Sequence, residues 1–283
     1  MKSDQQTGTL YIVATPIGNL EDISIRAKRI LGEVSLIACE DTRHTRKLLN
    51  HLQIKTPLIS YYREKEKTKA DILLSKLLDG QDIALVSDAG TPALSDPGSV
   101  LVQQSRRAGI TVIPVPGPSA LTAAISASGI DETGFFFGGF PPSKKNTRRT
   151  FFKKLAQFPC PLVFYESPHR IKSCLQDCIA VFGERHGLLF KELTKMYEKS
   201  YEGTLTQLLD VVKDGIRGEL VLIVHGHSED DVVKPDNLTE LLSWYRKQPD
   251  MTLKEAVRSI AADLNLPRNM VYQQALAVWK SDK

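Results

Sequence analysis

The chain lacks the features that mark several common classes of protein. Its 283 residues include four cysteines, and no two of them form the Cys-x-x-Cys pair of a structural zinc site, so we expect no bound metal. Residues 1–8 have no apolar stretch like that of a secretion signal, and no apolar run approaches the roughly 20 residues of a membrane span. Unpaired cysteines without a targeting segment predict a cytoplasmic location.

A strong excess of either charge is also missing. The chain carries 37 Lys and Arg against 33 Asp and Glu, a formal net charge of +4. Such a balance permits an anionic partner but does not require one. Hydrophobic residues make up 42% of the chain, enough for a sizeable core, and its length suggests about two domains.

Short apolar runs alternate with helical patterns in the first part of the chain. The predicted strands are Leu10–Ala14, Ser35–Cys39, Ile83–Ser87 and Thr111–Val115. The predicted helices are Ile23–Leu31, Arg43–Leu52, Asp71–Leu78 and Val100–Arg107. This alternation predicts an α/β domain with a largely parallel sheet covered on both faces.

A cluster of prolines predicts where that domain ends. Pro114, Pro116 and Pro118 fall within five residues and do not fit inside a strand ladder or a helix. We therefore expect one α/β domain at 1–116 and a second at 117–228. The second has predicted helices at Ala120–Ser128, His169–Val181 and Leu205–Lys213, extended segments at Phe135–Gly138, Leu162–Tyr165, Leu188–Lys191 and Leu220–Val224, and a basic loop at Lys144–Arg149.

The last part of the chain has a different character. A polar, acidic linker is predicted at 228–236 and helices at Leu238–Arg246, Leu253–Leu264 and Asn269–Lys280, within a third unit at 229–283. Thr252 and Glu255 have the spacing of a capping box, and Leu253, Ala256, Val257, Ile260, Ala261 and Leu264 form an apolar stripe. The last two helices predict a helix-turn-helix outline whose second helix begins with Arg268, a residue suited to phosphates. A small helical cap that only packs against the second domain is the alternative.

Polar clusters follow five of the predicted strands. They are Thr15–Leu20, Cys39–Thr45, Ser87–Pro92, Phe164–Arg170 and Lys191–Lys195. Each is also explained by a tight turn, a helix cap or solvated charges. Together they favour a ligand site, because α/β proteins bind ligands beyond the carboxyl ends of their parallel strands. The Gly-x-Gly-x-x-Gly dinucleotide fingerprint is absent. Gly117–Ala120 opens a helix, either as simple helix initiation or as a site for a carboxylate or phosphate.

Six of these segments, in this order and spacing, resemble the small-subunit ribosomal RNA methyltransferase branch of the tetrapyrrole methylase family. They read TPIGN, CEDTRHT, ALVSDAGTP, PVPGPSA, FYESPHR and KELTK. The resemblance spans roughly residues 9–280. The chain departs from the family pattern at Lys191, where Arg is expected, and at Ala14, where Pro is commoner. Lys cannot reproduce a bidentate Arg contact.

The resemblance implies an S-adenosylmethionine site between two α/β domains, in a homodimer. The residues that it implies for the cofactor are Ser87, Asp88, Ala89, Gly90, Thr91, Pro116, Ser119, Ala120, Tyr165, Leu193 and Thr194. The catalytic or substrate-orienting candidates near that site are Asp41, Arg43, Glu166 and Lys191. The candidates for RNA contact are Lys144, Lys145, Arg148, Arg149 and Arg268.

The implied reaction is 2′-O-methylation of a cytidine in the decoding region of 16S ribosomal RNA, and the expected partner is this RNA within the small ribosomal subunit. Such a transfer needs alignment of the reactants and a base for the hydroxyl proton, either Asp41 or Glu166, and no metal. Two alternatives stay open: a methyltransferase of the same fold that acts on a tetrapyrrole precursor, and a nucleic-acid-binding regulator without enzymatic activity. The basic segment and the helical tail disfavour the first, and the strand-end motifs disfavour the second.

Overall fold

The computed structural model describes residues 7–130, 134–227, 238–248, 251–264 and 266–280. The chain divides into two compact units, Met1–Gly226 and His227–Lys283. The predicted linker at 228–236 lies outside the described residues. Within them, no helix combines the length and apolar character needed to cross a membrane.

A parallel sheet forms the first part of the larger unit. Its strands are β1 (Leu10–Val13), β2 (Leu36–Cys39), β3 (Leu58–Ser60), β4 (Ile83–Val86) and β5 (Val112–Val115), in the order β3-β2-β4-β1-β5. The helices are α1 (Ile25–Glu33), α2 (Thr42–His51), α3 (Glu66–Leu78) and α4 (Ser99–Arg107). One face of the sheet packs against α1 and α2, the other against α3 and α4. All four residues of β4 are buried, as expected for a central strand covered on both faces.

Pro114 lies inside a strand, so the expectation that the proline cluster interrupts the ladder at this residue is wrong. It aligns with Ile12 in the parallel pairing of β5 with β1. In the described sheet β5 is an edge strand, and Pro114 is exposed. An edge strand tolerates proline because the missing N–H would face away from the ladder.

A second sheet follows, with a different pairing pattern. Its strands are β6 (Phe136–Phe137), β7 (Leu162–Glu166), β8 (His186–Lys191), β9 (Lys199–Thr204) and β10 (Leu220–Val224), in the order β6-β7-β10-β8-β9. β6 and β7 are parallel, whereas β7, β10, β8 and β9 pair antiparallel. The helices are α5 (Ala120–Ser126), α6 (Lys145–Leu155), α7 (Ile171–Phe182) and α8 (Leu205–Val211).

The expectation of a basic loop at Lys144–Arg149 is wrong, because helix α6 begins at Lys145. Arg148 lies on its buried face, with 3% of its surface exposed. Its Nη2 atom lies 2.6 Å from Oδ2 of the buried Asp177 on α7, and Nε donates to the same oxygen over 2.9 Å. The Nε atom of Arg149 lies 2.6 Å from Oδ1 of Asp177. A buried guanidinium requires such partners, since an unpaired buried charge is strongly destabilising.

The smaller unit is helical in its described part. It contains α9 (Leu238–Arg246), α10 (Leu253–Asp263) and α11 (Arg268–Lys280). The predicted capping box of Thr252 and Glu255 is present at the start of α10. The apolar stripe is buried at Ala256, Val257, Ile260 and Ala261, which pack with residues of α9 and α11. Leu264 was expected on this stripe, but it is the C-cap residue and is 37% exposed.

The cysteines are all free. Cys39, Cys174 and Cys178 are buried and belong to the hydrophobic core, while Cys160 is partly exposed. Among the described residues, no group of His, Cys, Asp and Glu has the arrangement of a metal site.

Candidate active site

The loops after β1 and β4 are joined at the carboxyl end of the parallel sheet. The amide of Thr15 donates to the carbonyl of Gly90 over 2.9 Å, and the amide of Gly90 donates back over 3.0 Å. The Thr15 hydroxyl also donates to the Ser87 carbonyl over 3.2 Å. After β1 the chain continues to β2 on one side of the sheet, and after β4 it continues to β5 on the other side. The loops that follow β1 and β4 therefore flank the crevice in which open α/β sheets bind ligands.

Asp88 ties the loop after β2 to the same place. Its Oδ1 atom accepts a hydrogen bond from the amide of Asp41 over 3.0 Å. The Asp41 carboxylate in turn accepts from Arg43, with Nε 3.2 Å from Oδ1 and Nη2 2.8 Å from Oδ2. These bonds, with the Arg43 amide, hold the pKa of Asp41 well below its ordinary value. A carboxylate with a lowered pKa is a weak base, so Asp41 is a poor acceptor of a proton.

The segment from Gly90 to Gly98 has an unusual backbone. Gly90 has φ +82°, and the non-glycine residues Ala93 and Ser95 have φ +63° and +71°. The left-handed region is costly for residues with a Cβ atom, and surrounding contacts must hold them there. Arg63 donates to the Ser95 carbonyl over 2.9 Å.

Glu66, at the start of α3, holds the end of the same segment. Its Oε1 atom accepts from the amides of Gly98 and Val100 over 2.8 and 3.4 Å and from the hydroxyl of the buried Tyr61 over 3.2 Å. The start of α4 and the preceding loop are thereby fixed to α3.

The second sheet closes the crevice. Residues of β8 and β10 pack with the loop after β1 and with α5 in one buried apolar cluster, which includes Ile17, Phe190, Leu193 and Val221. Tyr165 of β7 accepts a hydrogen bond at its hydroxyl from the Leu121 amide over 3.0 Å. One amide of the first turn of α5 is thus already partnered by a side chain of the second sheet.

The space between these loops and the second sheet is a partly open cavity of about 390 Å³ within the larger unit. Its lining combines strand-end loops of the first sheet with side chains of the second. The lining residues are Ile17, Asp88, Ala89, Gly90, Thr91, Leu94, Ser95, Asp96, Ser119, Ala120, Phe140, Tyr165, Glu166, Ser167, Pro168, Phe190, Leu193, Glu219, Leu220 and Val221. The volume and the mixed lining are typical of a small-molecule site.

Most of the residues expected to bind the cofactor line this cavity, and three do not. Ser87 lies beneath it, with its hydroxyl donating to the carbonyls of Ala89 and Gly90 over 3.2 and 3.4 Å. Pro116 is exposed outside the lining. Thr194 has φ +67°, and its amide donates to Glu198 over 2.6 Å. Ser87 and Thr194 therefore form hydrogen bonds within the loops that carry them.

Of the catalytic candidates, only Glu166 belongs to the cavity lining. Its side chain is buried, with Oε1 accepting from the Ser167 amide over 2.8 Å and Oε2 3.2 Å from Nη2 of Arg170. Burial raises the pKa of Glu166, and the amide and Arg170 oppose that shift. Lys191 lies at the end of β8, with Nζ 3.5 Å from the Tyr197 carbonyl, and its side chain does not reach the lining.

The expected RNA-contacting residues separate into two groups. Lys144 and Lys145 are exposed and Arg149 is partly exposed, at the start of α6. Arg148 was also expected to contact RNA, but its guanidinium is buried against Asp177 and is not presented to a ligand.

Arg268 lies in the smaller unit, on a groove of about 520 Å³ between α10 and α11. Lys254 and Arg258 of α10 line the groove from one side, and Arg268 and Tyr272 of α11 from the other. The charges on the lining make it suited to a phosphate backbone.

The family model described as tetrapyrrole (corrin/porphyrin) methylases matches residues 9–209. This chain belongs to the tetrapyrrole methylase family. Two relatives share the name ribosomal RNA small subunit methyltransferase I. The Xylella fastidiosa protein is 45% identical over 94% of this chain and 98% of its own length, and the Halalkalibacterium halodurans protein is 43% identical over 94% and 93%.

The fold of this tetrapyrrole methylase is also that of distant family members. A crystal structure of uroporphyrin-III C-methyltransferase from Thermus thermophilus, complexed with S-adenosylhomocysteine, matches with a TM-score of 0.55 at 19% identity. The match covers 77% of this chain and 97% of that one.

Several lining residues were missed by sequence reasoning. Asp96 and Leu94 continue the motif at Ser87–Pro92, and that proximity is a signal that could have found them. Phe190 and Val221 lie inside apolar strands, where nothing in the sequence distinguishes a residue that lines a cavity from one that fills a core. Burial raises the pKa of Asp96, and the nearby Asp88 raises it further, against a hydrogen bond from Ser87.

Asp96→Asn is expected to flatten the pH dependence of stability. Because the folded-state pKa of Asp96 is raised above 3.8, the folded protein holds this proton more tightly than the unfolded chain does. The stability that this proton contributes is present below the ordinary pKa and is lost as the pH rises through the folded value. Urea denaturation followed by circular dichroism from pH 4 to about 7 should show a smaller fall in the free energy of unfolding for Asp96→Asn than for the wild type. Glu21→Gln, an exposed carboxylate outside the lining, is the control, and equal slopes for wild type and Asp96→Asn would contradict the assignment.

Proposed function

We propose that this chain is an S-adenosylmethionine-dependent methyltransferase that transfers a methyl group to the 2′-hydroxyl of a cytidine in the decoding region of 16S ribosomal RNA. The cavity between the strand-end loops of one sheet and the side chains of the other carries the proposal. The shared name of the relatives at 43–45% identity supports the ribosomal substrate. The proposal includes a homodimer, a cytoplasmic location, and functional domains at 1–116, 117–228 and 229–283.

The lining fits S-adenosylmethionine. Its volume of about 390 Å³ falls in the range of small-ligand pockets, about 300–1,000 Å³. The apolar side chains of Ile17, Leu193 and Val221 suit the adenosine, and the backbone of Asp88–Thr91 offers polar groups. The half-buried Asp96 carboxylate suits a ligand with positive charge. When bound, this cofactor supplies an activated methyl group on a sulfonium.

The chain's own residues then have two tasks, to align the acceptor hydroxyl and to take its proton. Alignment of two reactants contributes about 7–11 kcal/mol to such a displacement. Of the two base candidates, Glu166 is proposed because it belongs to the lining, with a carboxylate that is buried beside Arg170 and has a raised pKa, whereas Asp41 lies outside the lining in a pair with Arg43. Arg43 and Lys191 are proposed to hold phosphates beside the cavity.

RNA is proposed to meet two surfaces of the chain, each in its own unit. One is the start of α6 with Lys144, Lys145 and Arg149, and the other is the groove that contains Arg268. Both present cations that can replace the counterions of a phosphate backbone. A tetrapyrrole precursor is the alternative substrate, favoured by the fold that the chain shares with uroporphyrin-III C-methyltransferase.

The first test combines activity with cofactor binding. Gly90→Val places a branched side chain at φ +82°, where a first Cβ atom would already lie 3.4 Å from Ile17 Cγ2. We expect this variant to fold but to lose S-adenosylmethionine binding in calorimetry and methyl transfer to small ribosomal subunits. Gly109→Val is the control, because Gly109 also has positive φ, at +75°, with open space around it and no place in the lining.

After small ribosomal subunits have reacted with the wild-type protein, mass analysis of their nucleosides should show 2′-O-methylcytidine. Unmodified RNA, combined with methylation of a tetrapyrrole precursor, would favour the alternative substrate.

The second test separates the two base candidates. Glu166→Gln should lower kcat by about 10²–10⁴-fold with cofactor affinity unchanged, because a positioned base contributes that much. Asp41→Asn should retain a rate within a few-fold of the wild type. Both are measured at saturating cofactor from pH 5 to about 9, since loss of the base should also remove the acidic limb of the profile. Wild-type kcat in Glu166→Gln would refute the assignment.

The third test concerns the groove of the smaller unit. The full-length double variant Arg258→Gln/Arg268→Gln should bind ribosomal RNA more weakly at low salt and lose about one to two units of slope in log Kd against log salt. Arg106→Gln/Arg107→Gln removes two exposed charges at the end of α4 and serves as the matched control. If the two double variants give the same slope, the smaller unit has only a packing role.

A further inference from the structure

Phe140 is an exposed aromatic residue on the wall of the cavity. It follows β6, and 55% of its surface is exposed. The other lining aromatics are less exposed, since Tyr165 is half-buried and Phe190 is 4% exposed. Phe140 therefore presents apolar surface at the place where the cavity meets solvent.

The segment that carries Phe140 is held at several points. Gly139, with φ +57°, accepts at its carbonyl from the Tyr165 amide over 2.9 Å. A Cβ atom on Gly139 would lie 3.2 Å from Oγ of Ser95, so the segment passes close to the strained loop. The Phe140 ring lies edge-on to Tyr165, with centroids 5.6 Å apart.

Buried and partly buried arginines fix the residues that follow. Arg170 donates to the carbonyl of Pro141, and Arg148 donates to the carbonyl of Ser143 over 3.2 Å. The buried pair of Arg148 and Asp177 thus positions the backbone between Phe140 and α6. An aromatic ring held in this way loses little freedom when it stacks on a ligand.

Two exposed cations stand a few residues further on. Lys144 and Lys145 are at the beginning of α6, and both are exposed. An exposed aromatic ring, followed four and five residues later by exposed cations, supplies the two kinds of group with which proteins hold single-stranded nucleic acid, through stacked bases and paired phosphates.

We propose that Phe140 is the platform on which the base of the target nucleotide stacks while its ribose enters the cavity, with Lys144 and Lys145 binding the adjoining phosphates. This inference rests on the proposed function. A ribose in structured RNA reaches an enclosed site when its nucleotide leaves the base stack, and an enzyme offsets that loss by stacking the base on its own side chains. Phe140 is in this sense a substrate-positioning residue.

Four variants test the proposal in the full-length protein. Phe140→Ala and Phe140→Leu remove the aromatic face, and Phe140→Leu keeps most of the apolar volume. Phe140→Tyr keeps the face, and Phe135→Ala removes an aromatic residue that is 44% exposed but outside the cavity lining. We expect kcat/KM for small ribosomal subunits to fall about 10-fold or more in the first two, within the contribution of one stacked base, and to stay near the wild-type value in the other two. The calorimetric Kd for S-adenosylmethionine should be unchanged in all four.

Three outcomes would overturn the proposal. Wild-type kcat/KM in Phe140→Ala or Phe140→Leu would show that no stacking face is needed, and weaker cofactor binding in either would make Phe140 part of the cofactor site. A loss in Phe140→Tyr as large as in Phe140→Leu would indicate a packing role. If the wild type transfers no methyl group to ribosomal RNA, the proposed function itself fails, and this inference with it; that result is seen before any variant is compared.

Discussion

The reciprocal hydrogen bonds between Thr15 and Gly90 are the contact on which the site depends. They hold together two loops whose strands lie side by side but whose chains continue to opposite sides of the sheet. This contact fixes the wall of the crevice at the switch point. Asp88, Arg63 and Glu66 extend the same frame by binding the backbone of the adjoining segments.

The two sheets contribute different parts of the cavity lining because their strands pair differently. Parallel strands place successive loops at one edge, so the first sheet supplies backbone groups and polar side chains to the cavity. In the second sheet the antiparallel strands turn their faces toward that edge, and they supply apolar surface from Phe190 and Val221 together with Tyr165. The cavity therefore offers a ligand both polar groups and apolar surface.

Sequence reasoning predicted the strands that are buried on both faces and the loops that follow them, because continuous apolar runs and strand-end polar residues are local signals. It missed β9, an edge strand whose residues read Lys-Ser-Tyr-Glu-Gly-Thr and of which half are exposed. It also took Arg148 for a surface cation, since basic neighbours at 144–149 gave no sign that one of them faces Asp177. That pairing joins residues 29 positions apart and depends on how α6 packs on α7. The roles of the cavity residues stay predictions, because a lining is defined by the whole fold and not by any one motif.

Glu66 joins three parts of the chain through a single oxygen atom, the hydroxyl of Tyr61, the loop before α4 and the first turn of α4 itself. These parts consequently share one opening equilibrium. Local unfolding of the loop beside the cavity requires the docking of α3 to loosen as well, so the loop draws its rigidity from a cooperative unit much larger than itself. A loop held in this way keeps one shape without a ligand, so any ligand that it receives need not supply the entropy of ordering it.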